Sequence, residues 1–168
     1  MKTLFFTCSM LLLLSCSKEL SFSGKDASLP SITEGDQLKE FLTSGGKKFT
    51  LKKFYSDIPV DYNPQDNNPE LETDLTKYII PYLRDDYYEF YPDGRLRITQ
   101  NVRKHPGIEE EQFFRNYSIR TQSDTTVMDF VEHTYNQYQY SLAEMGSDFF
   151  IIQVKSGEAT LYSRYEVQ

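Results

Sequence analysis

Asp85-Asp86-Tyr87-Tyr88-Glu89-Phe90-Tyr91-Pro92-Asp93-Gly94-Arg95-Leu96-Arg97-Ile98-Thr99 is the stretch whose reading decides the fold. Two β-prone runs flank Pro92-Asp93-Gly94, and glycine alone enters positive φ without a Cβ clash. The stretch therefore predicts a β-hairpin that turns at Gly94. Toward the C-terminus, further strands are expected over 112–120, 125–131, 137–142, 148–154 and 160–167. Phe113, Tyr117 and Ile119 fall in one phase of the first of these, and Gly146-Ser147-Asp148 and Ser156-Gly157-Glu158 mark the last turns. Toward the N-terminus, Phe49-Thr50-Leu51 alternates and Phe54-Tyr55 continues a β-rich run that ends near Ser56. Short strands at close spacing, mostly joined by hairpin-length loops, predict an antiparallel meander, as a sandwich or an up-and-down barrel.

Two segments carry a helical period instead. Leu38, Phe41 and Leu42 lie at i, i+3 and i+4, with Thr33 or Asp36 as cap and Gly45-Gly46 as stop. The second interrupts the meander over 57–84. Its first part, Asp57 to Asn68, is loop chemistry with Pro59 and Pro64. Asn68 then offers a cap, Pro69 a first helical position, and Glu70 and Glu72 an acidic first turn. Leu71, Leu75, Tyr78 and Ile79 recur at i, i+4, i+7 and i+8 as one apolar stripe, and Pro81 should end the helix near Ile80. A helix inserted between strands is expected to cover the open end of the β structure, which makes these four residues the candidate mouth or lid of a ligand site.

Composition narrows the function classes. The net charge is −7, which argues against a nucleic-acid-binding domain. Tyr 13 and Phe 12 with no Trp give an aromatic share of 15%, so rings must fill much of any core. Residues 1–15 have a basic start at Lys2 and an apolar stretch of Leu4, Phe5, Phe6 and Met10 to Leu14. That stretch is shorter than the about 20 residues a membrane span needs, and reads as a signal peptide. Leu13-Leu14-Ser15-Cys16 resembles the lipobox of bacterial lipoproteins. The resemblance implies cleavage before Cys16 and acylation of that cysteine with palmitate-type chains. Cys8 leaves with the leader, so the mature chain forms no internal disulfide and relies on its core. Residues 16–34, rich in Ser with Gly24 and Pro30, read as a flexible tether from the lipid anchor, and 35–168 as the β domain.

A family resemblance covers roughly residues 36–168. The helix ending Leu42-Thr43-Ser44-Gly45-Gly46, the strand Lys48-Phe49-Thr50-Leu51 and the hairpin from Tyr88 to Ile98 resemble the lipocalin-like lipoproteins of Bacteroidetes. Phe149-Phe150-Ile151-Ile152 and the run from Glu158 to Tyr165 resemble that family's closing strands, and Phe49 stands where the family usually has tryptophan. The resemblance implies an all-β chain with one or two short helices, folded as a lipocalin-like antiparallel up-and-down β-barrel, and it implies no particular ligand.

No residue pattern announces catalysis. The two histidines, His105 in a Pro-Gly turn and His133 between strands, lack metal-ligand partners at helical spacing and read as surface residues. An enzyme would need one of them in a cleft beside a serine or carboxylate. Asp61, Asn63, Gln65 and Glu72 have oxygen-ligand spacing for calcium, but Asp66 occupies the position that needs glycine. A solvated loop is the expectation there, with no metal and no cofactor. Tyr87, Tyr88 and Tyr91, and Tyr135, Tyr138 and Tyr140, could stack on sugars or fill a barrel, and core packing is favoured. The expected protein is a non-catalytic lipoprotein anchored to the outer membrane of the cell envelope, facing either the periplasm or the outside. It would bind a small apolar or amphipathic ligand, or a partner surface. The alternatives are a glycan-binding accessory lipoprotein and a structural lipoprotein with a solid core. Cys16→Ser should abolish acylation and release the chain from membranes; an unmodified thiol at Cys16 in the mature native protein, read by mass spectrometry, would sink the anchor.

Overall fold

The computed structural model describes residues 33–62, 70–133 and 136–168, except the side chains of residues 132, 133, 136 and 137. The proposed leader, Cys16 and the tether up to residue 32 lie outside the described residues, while Thr33 and Glu34, the expected end of the tether, belong to a helix and its cap. Helix α1 (Glu34–Thr43) comes first. Thr33 caps it with a capping box: the Asp36 N–H donates to Thr33 Oγ1 at 3.1 Å, and Asp36 Oδ2 accepts from the Thr33 N–H at 3.1 Å. Strands β1 (Phe49–Val60), β2 (Glu72–Asp74), β3 (Tyr87–Phe90), β4 (Arg95–Thr99) and β5 (Gln112–Gln122) follow. A short helix, α2 (Pro81–Asp85), sits between β2 and β3. Strands β6 (Thr125–His133), β7 (Asn136–Met145), β8 (Phe149–Ser156) and β9 (Ala159–Val167) complete the chain.

Every neighbour in the sheet is antiparallel, and β1 pairs with both β3 and β9, closing eight strands into an up-and-down barrel. The closure point is Phe49, whose backbone lies opposite Tyr88 on β3 and Val167 on β9. The hairpin forms as expected, with Tyr88 opposite Ile98 and Phe90 opposite Leu96. Gly94 has φ of 86°, and a Cβ there would meet the Tyr117 carbonyl at 3.1 Å, so the turn needs glycine twice over. On the outer face of the same hairpin, Glu89 receives two hydrogen bonds from the Arg97 guanidinium at 2.9 and 2.7 Å.

The core is asymmetric along the barrel axis. At one end α1 inserts the fully buried Leu38 and Leu42 against Phe49, Phe90, Met128 and Phe150. Phe49 meets Phe41, Phe90 and Phe150 edge-on at centroid distances of 5.6, 5.8 and 5.3 Å. The turns β3–β4, β5–β6 and β7–β8 lie at this end and are short. The segment from the end of β2 through α2 and the 100–111 loop lie at the other end, which is hollow.

The structure corrects the expectation of a helix over 69–80. From Glu70 onward the chain runs instead as β2, a single tight turn over Thr76–Tyr78 and then α2, which Pro81 begins rather than blocks. The physical reason is the edge of β1. Strand β3 pairs with β1 only at Phe49, so the rest of that edge needs a partner. Strand β2 supplies it, with Asp74 opposite Tyr55 and Glu72 opposite Val60. Beyond β2 the Leu75 N–H donates to the Phe54 carbonyl at 2.9 Å. Asp74 Oδ1 accepts from the Thr76 N–H at 3.0 Å, and Thr76 Oγ1 meets the Phe54 backbone at 3.3 Å. Such side-chain bonds draw Asp and Thr out of helices. The four stripe residues consequently part company: Leu75 and Ile79 are buried, Tyr78 is half-buried beside Tyr62, and Leu71 is 68% exposed. Leu75→Ala should thus cost about 2–5 kcal/mol in urea unfolding and Leu71→Ala within about 0.5 kcal/mol. Similar losses at both positions would restore the helical stripe.

Candidate functional site

The hollow end of the barrel contains a cavity of about 1020 Å³. This exceeds the roughly 300 Å³ at which a pocket admits a small ligand, and it argues against a solid barrel. Its wall follows from strand alternation. Residues opposite one another in the register share a face, and the inward face carries Tyr88, Leu96, Ile98, Phe130, Ile152 and Tyr165. Tyr165 stacks on Phe150 at 4.9 Å with rings 5° from parallel, which forms the floor between the cavity and the packed end. Tyr117, below, donates its hydroxyl to the Tyr91 carbonyl at 2.8 Å, and burial pushes its phenol up to about 12.

Two segments roof the cavity. One is the approach to α2 and its first turn, which contributes Ile80, Tyr82 and Leu83; the other is the 100–111 loop, which contributes His105 to Ile108. Gln100 holds the loop from beneath. Its side-chain N–H donates to the carbonyls of Ile108 and Glu110, its Oε1 accepts from the His105 N–H, and its backbone N–H donates to the Glu111 carbonyl at 2.8 Å. The rim residues Ile80, Glu110 and Tyr138 are exposed, so the cavity is open to solvent at this end.

His105 is the main surprise. Read from sequence as a surface residue, its side chain is only 15% exposed and lines the cavity. Its ring lies 4.1 Å from Tyr82 and 5.1 Å from Phe113, and its Nε2 is 2.6 Å from Oδ2 of the fully buried Asp86. Burial pushes the Asp86 carboxyl above the usual carboxylate range and neighbouring Asp85 adds to the rise; the His105 ring and the Asn101 N–H oppose it. Oδ1 of Asp86 is buried without a well-formed hydrogen bond. The Arg103 N–H donates to Asp85 Oδ2 at 3.1 Å, so neighbouring carboxylates tie α2 to the loop. This places a histidine in a cleft beside a carboxylate, one part of what catalysis would require. Among the described residues no serine bonds to that ring.

Other candidates fall away from the site. None of Leu71, Leu75, Tyr78 and Ile79 lines the cavity, so the expected mouth residues are corrected to Ile80, Tyr82 and Leu83 just after them. Tyr88 and Tyr140 face the barrel interior, Tyr138 stands at the rim, and Tyr87 and Tyr91 have cationic side chains over their rings. Tyr135, the His133 side chain, Asn63 and Gln65 lie outside the described residues. Of the calcium candidates that are described, Glu72 pairs with Lys77. Among the described residues no group of acidic, histidine or cysteine side chains forms a metal cluster. One cavity residue was overlooked in the sequence although its signal was there: Arg115 sits in the same inward phase as Phe113, Tyr117 and Ile119. No protein-family model, curated protein or solved structure matches the chain.

The Asp86–His105 pair makes stability depend on pH. The raised folded pKa means the fold favours protonated Asp86; that stability is full below the unfolded value of about 4 and is lost as pH rises through the folded value. His105 offsets the loss by pairing with the anion. His105→Ala should therefore cost more near pH 8 than near pH 4, by on the order of 1 kcal/mol. Equal losses in urea at the two pH values would show that the ring acts by packing alone.

Proposed function

We propose that the protein is a lipid-anchored lipoprotein of the cell envelope whose barrel acts by binding, not catalysis, holding a small apolar or amphipathic molecule in the hollow end. The observation that carries the reading is the cavity of about 1020 Å³ with apolar and aromatic walls. A void of that size between well-packed walls forfeits contacts that a solid core would make, and a ligand restores them. The polar rim, with Glu110, Gln112 and the Tyr138 hydroxyl, suits a molecule with one wet end. The anchor rests on the lipobox-like Leu13-Leu14-Ser15-Cys16, and a lipid surface is a ready source of such molecules. A glycan platform has less support, because Tyr88 and Tyr140 point into the barrel, where a sugar chain does not reach.

The neutral fluorophore N-phenylnaphthylamine tests the cavity directly. It should bind saturably at one molecule per chain, displaced by long-chain amphiphiles. Ser163, opposite Ile152 on the inner wall, gives the control. Ser163→Phe fills part of the void and should weaken the fluorophore by about tenfold or more with the far-ultraviolet spectrum unchanged. Equal affinity in the two proteins would move binding elsewhere.

A further inference from the structure

Arg115 is the one charged residue on the inward face of the strands whose side chain is described; Glu132, which the β5–β6 register places opposite it on β6, has its side chain outside the described residues. It lies directly opposite Leu96, between Phe113 and Tyr117 on its own strand, and it lines the cavity half-buried. Its guanidinium carbon lies over the Phe113 ring, 4.8 Å from the centroid, a cation–π contact that uses none of the N–H groups. No carboxylate among the described residues forms a salt bridge with it. Arginines on the outer faces of the strands have carboxylate partners: Arg97 has Glu89, Arg120 has Asp129 and Arg164 has Glu166. Glu110 lines the same cavity, but it is exposed on the rim, and Gln100 bonds its backbone carbonyl.

A cation held on an apolar wall is costly unless an anion joins it there. The geometry points to a ligand with a single carboxylate head and a long apolar tail: the head pairs with the Arg115 guanidinium and the tail lies along Leu96, Ile98, Phe130 and Ile152. This rests on the proposed function and adds the charge of the ligand and the residue that reads it. Arginine suits a carboxylate because its planar fork donates two parallel N–H bonds to the two oxygens.

Delipidated full-length protein in detergent-free buffer, or the chain from residue 17 on if the anchor prevents this, is titrated with hexadecanoate, hexadecanol and hexadecyltrimethylammonium against bound N-phenylnaphthylamine. Hexadecanoate should displace the fluorophore about tenfold or more better than the alcohol, and the cation worst. Arg115→Gln should remove the preference for the acid, read as the ratio of acid to alcohol affinity within that variant, with an unchanged far-ultraviolet spectrum reporting that the barrel is folded. Arg115→Lys, which keeps the charge and loses the fork, should retain part of the preference. Acid and alcohol binding alike, or a preference that survives Arg115→Gln, would overturn the role of Arg115 while leaving the cavity reading standing. Failure of the fluorophore and all three amphiphiles to bind the wild-type chain would overturn both.

Discussion

Phe49 is the point on which the barrel depends. Its backbone is where β1 meets both neighbours, β3 at Tyr88 and β9 at Val167, so ring closure of the sheet passes through it. Its side chain is fully buried and meets rings from α1, β3 and β8 edge-on. Edge-to-face contacts add roughly 0.5–1.5 kcal/mol each beyond area burial, and here three converge on one ring. The same residue therefore closes the sheet and seats the helix that plugs it. A chain without tryptophan achieves this with several phenylalanines in mutual contact rather than one large indole.

Packing at that end leaves the other end to be held differently. Around α1 the contacts are apolar and tight; around the mouth they are polar and few. Gln100 braces its own loop with three side-chain hydrogen bonds, and Asp86 against His105 ties the end of α2 to that loop across 19 residues. Segments held in this way belong to the less stable part of a protein, which opens before the core does. That division suits the proposed function, in which the walls keep their shape while the roof lets a molecule pass.

Much of this was legible from the chain, and the failures have local causes. The hairpin at Gly94, the short helix with Thr33 as one of its two candidate caps, and the strands from 112 onward follow from turn chemistry and residue periodicity, both local signals. The segment 69–80 misled because its apolar residues keep a helical period while its backbone answers to a distant demand, the unpaired edge of β1. Leu75, Thr76 and Asp74 show how the competition resolves, since each bonds β1 or its own turn instead of a residue one helical turn away. His105 misled for a related reason: its partner Asp86 lies 19 residues earlier, and a Pro-Gly turn ordinarily faces water. Arg115 differs in that its signal is local: the alternation that places Phe113 and Tyr117 inward places residue 115 inward too, a charge at odds with the apolar pattern around it.

The two halves of the barrel explain each other energetically. An arginine facing an apolar wall, a carboxylate buried against a histidine and a large cavity each cost stability, and all three lie at the hollow end. The packed end, with its plug and converging rings, supplies the stability that these features draw down. The eight strands run through both halves, so alternate residues of one strand serve both. On β5, Tyr117 closes the floor with its hydroxyl on Tyr91, and Arg115, two residues away on the same face, reaches the cavity. That two-residue step separates scaffold from site, and it is why the site cannot be moved along the barrel without dismantling the core beneath it.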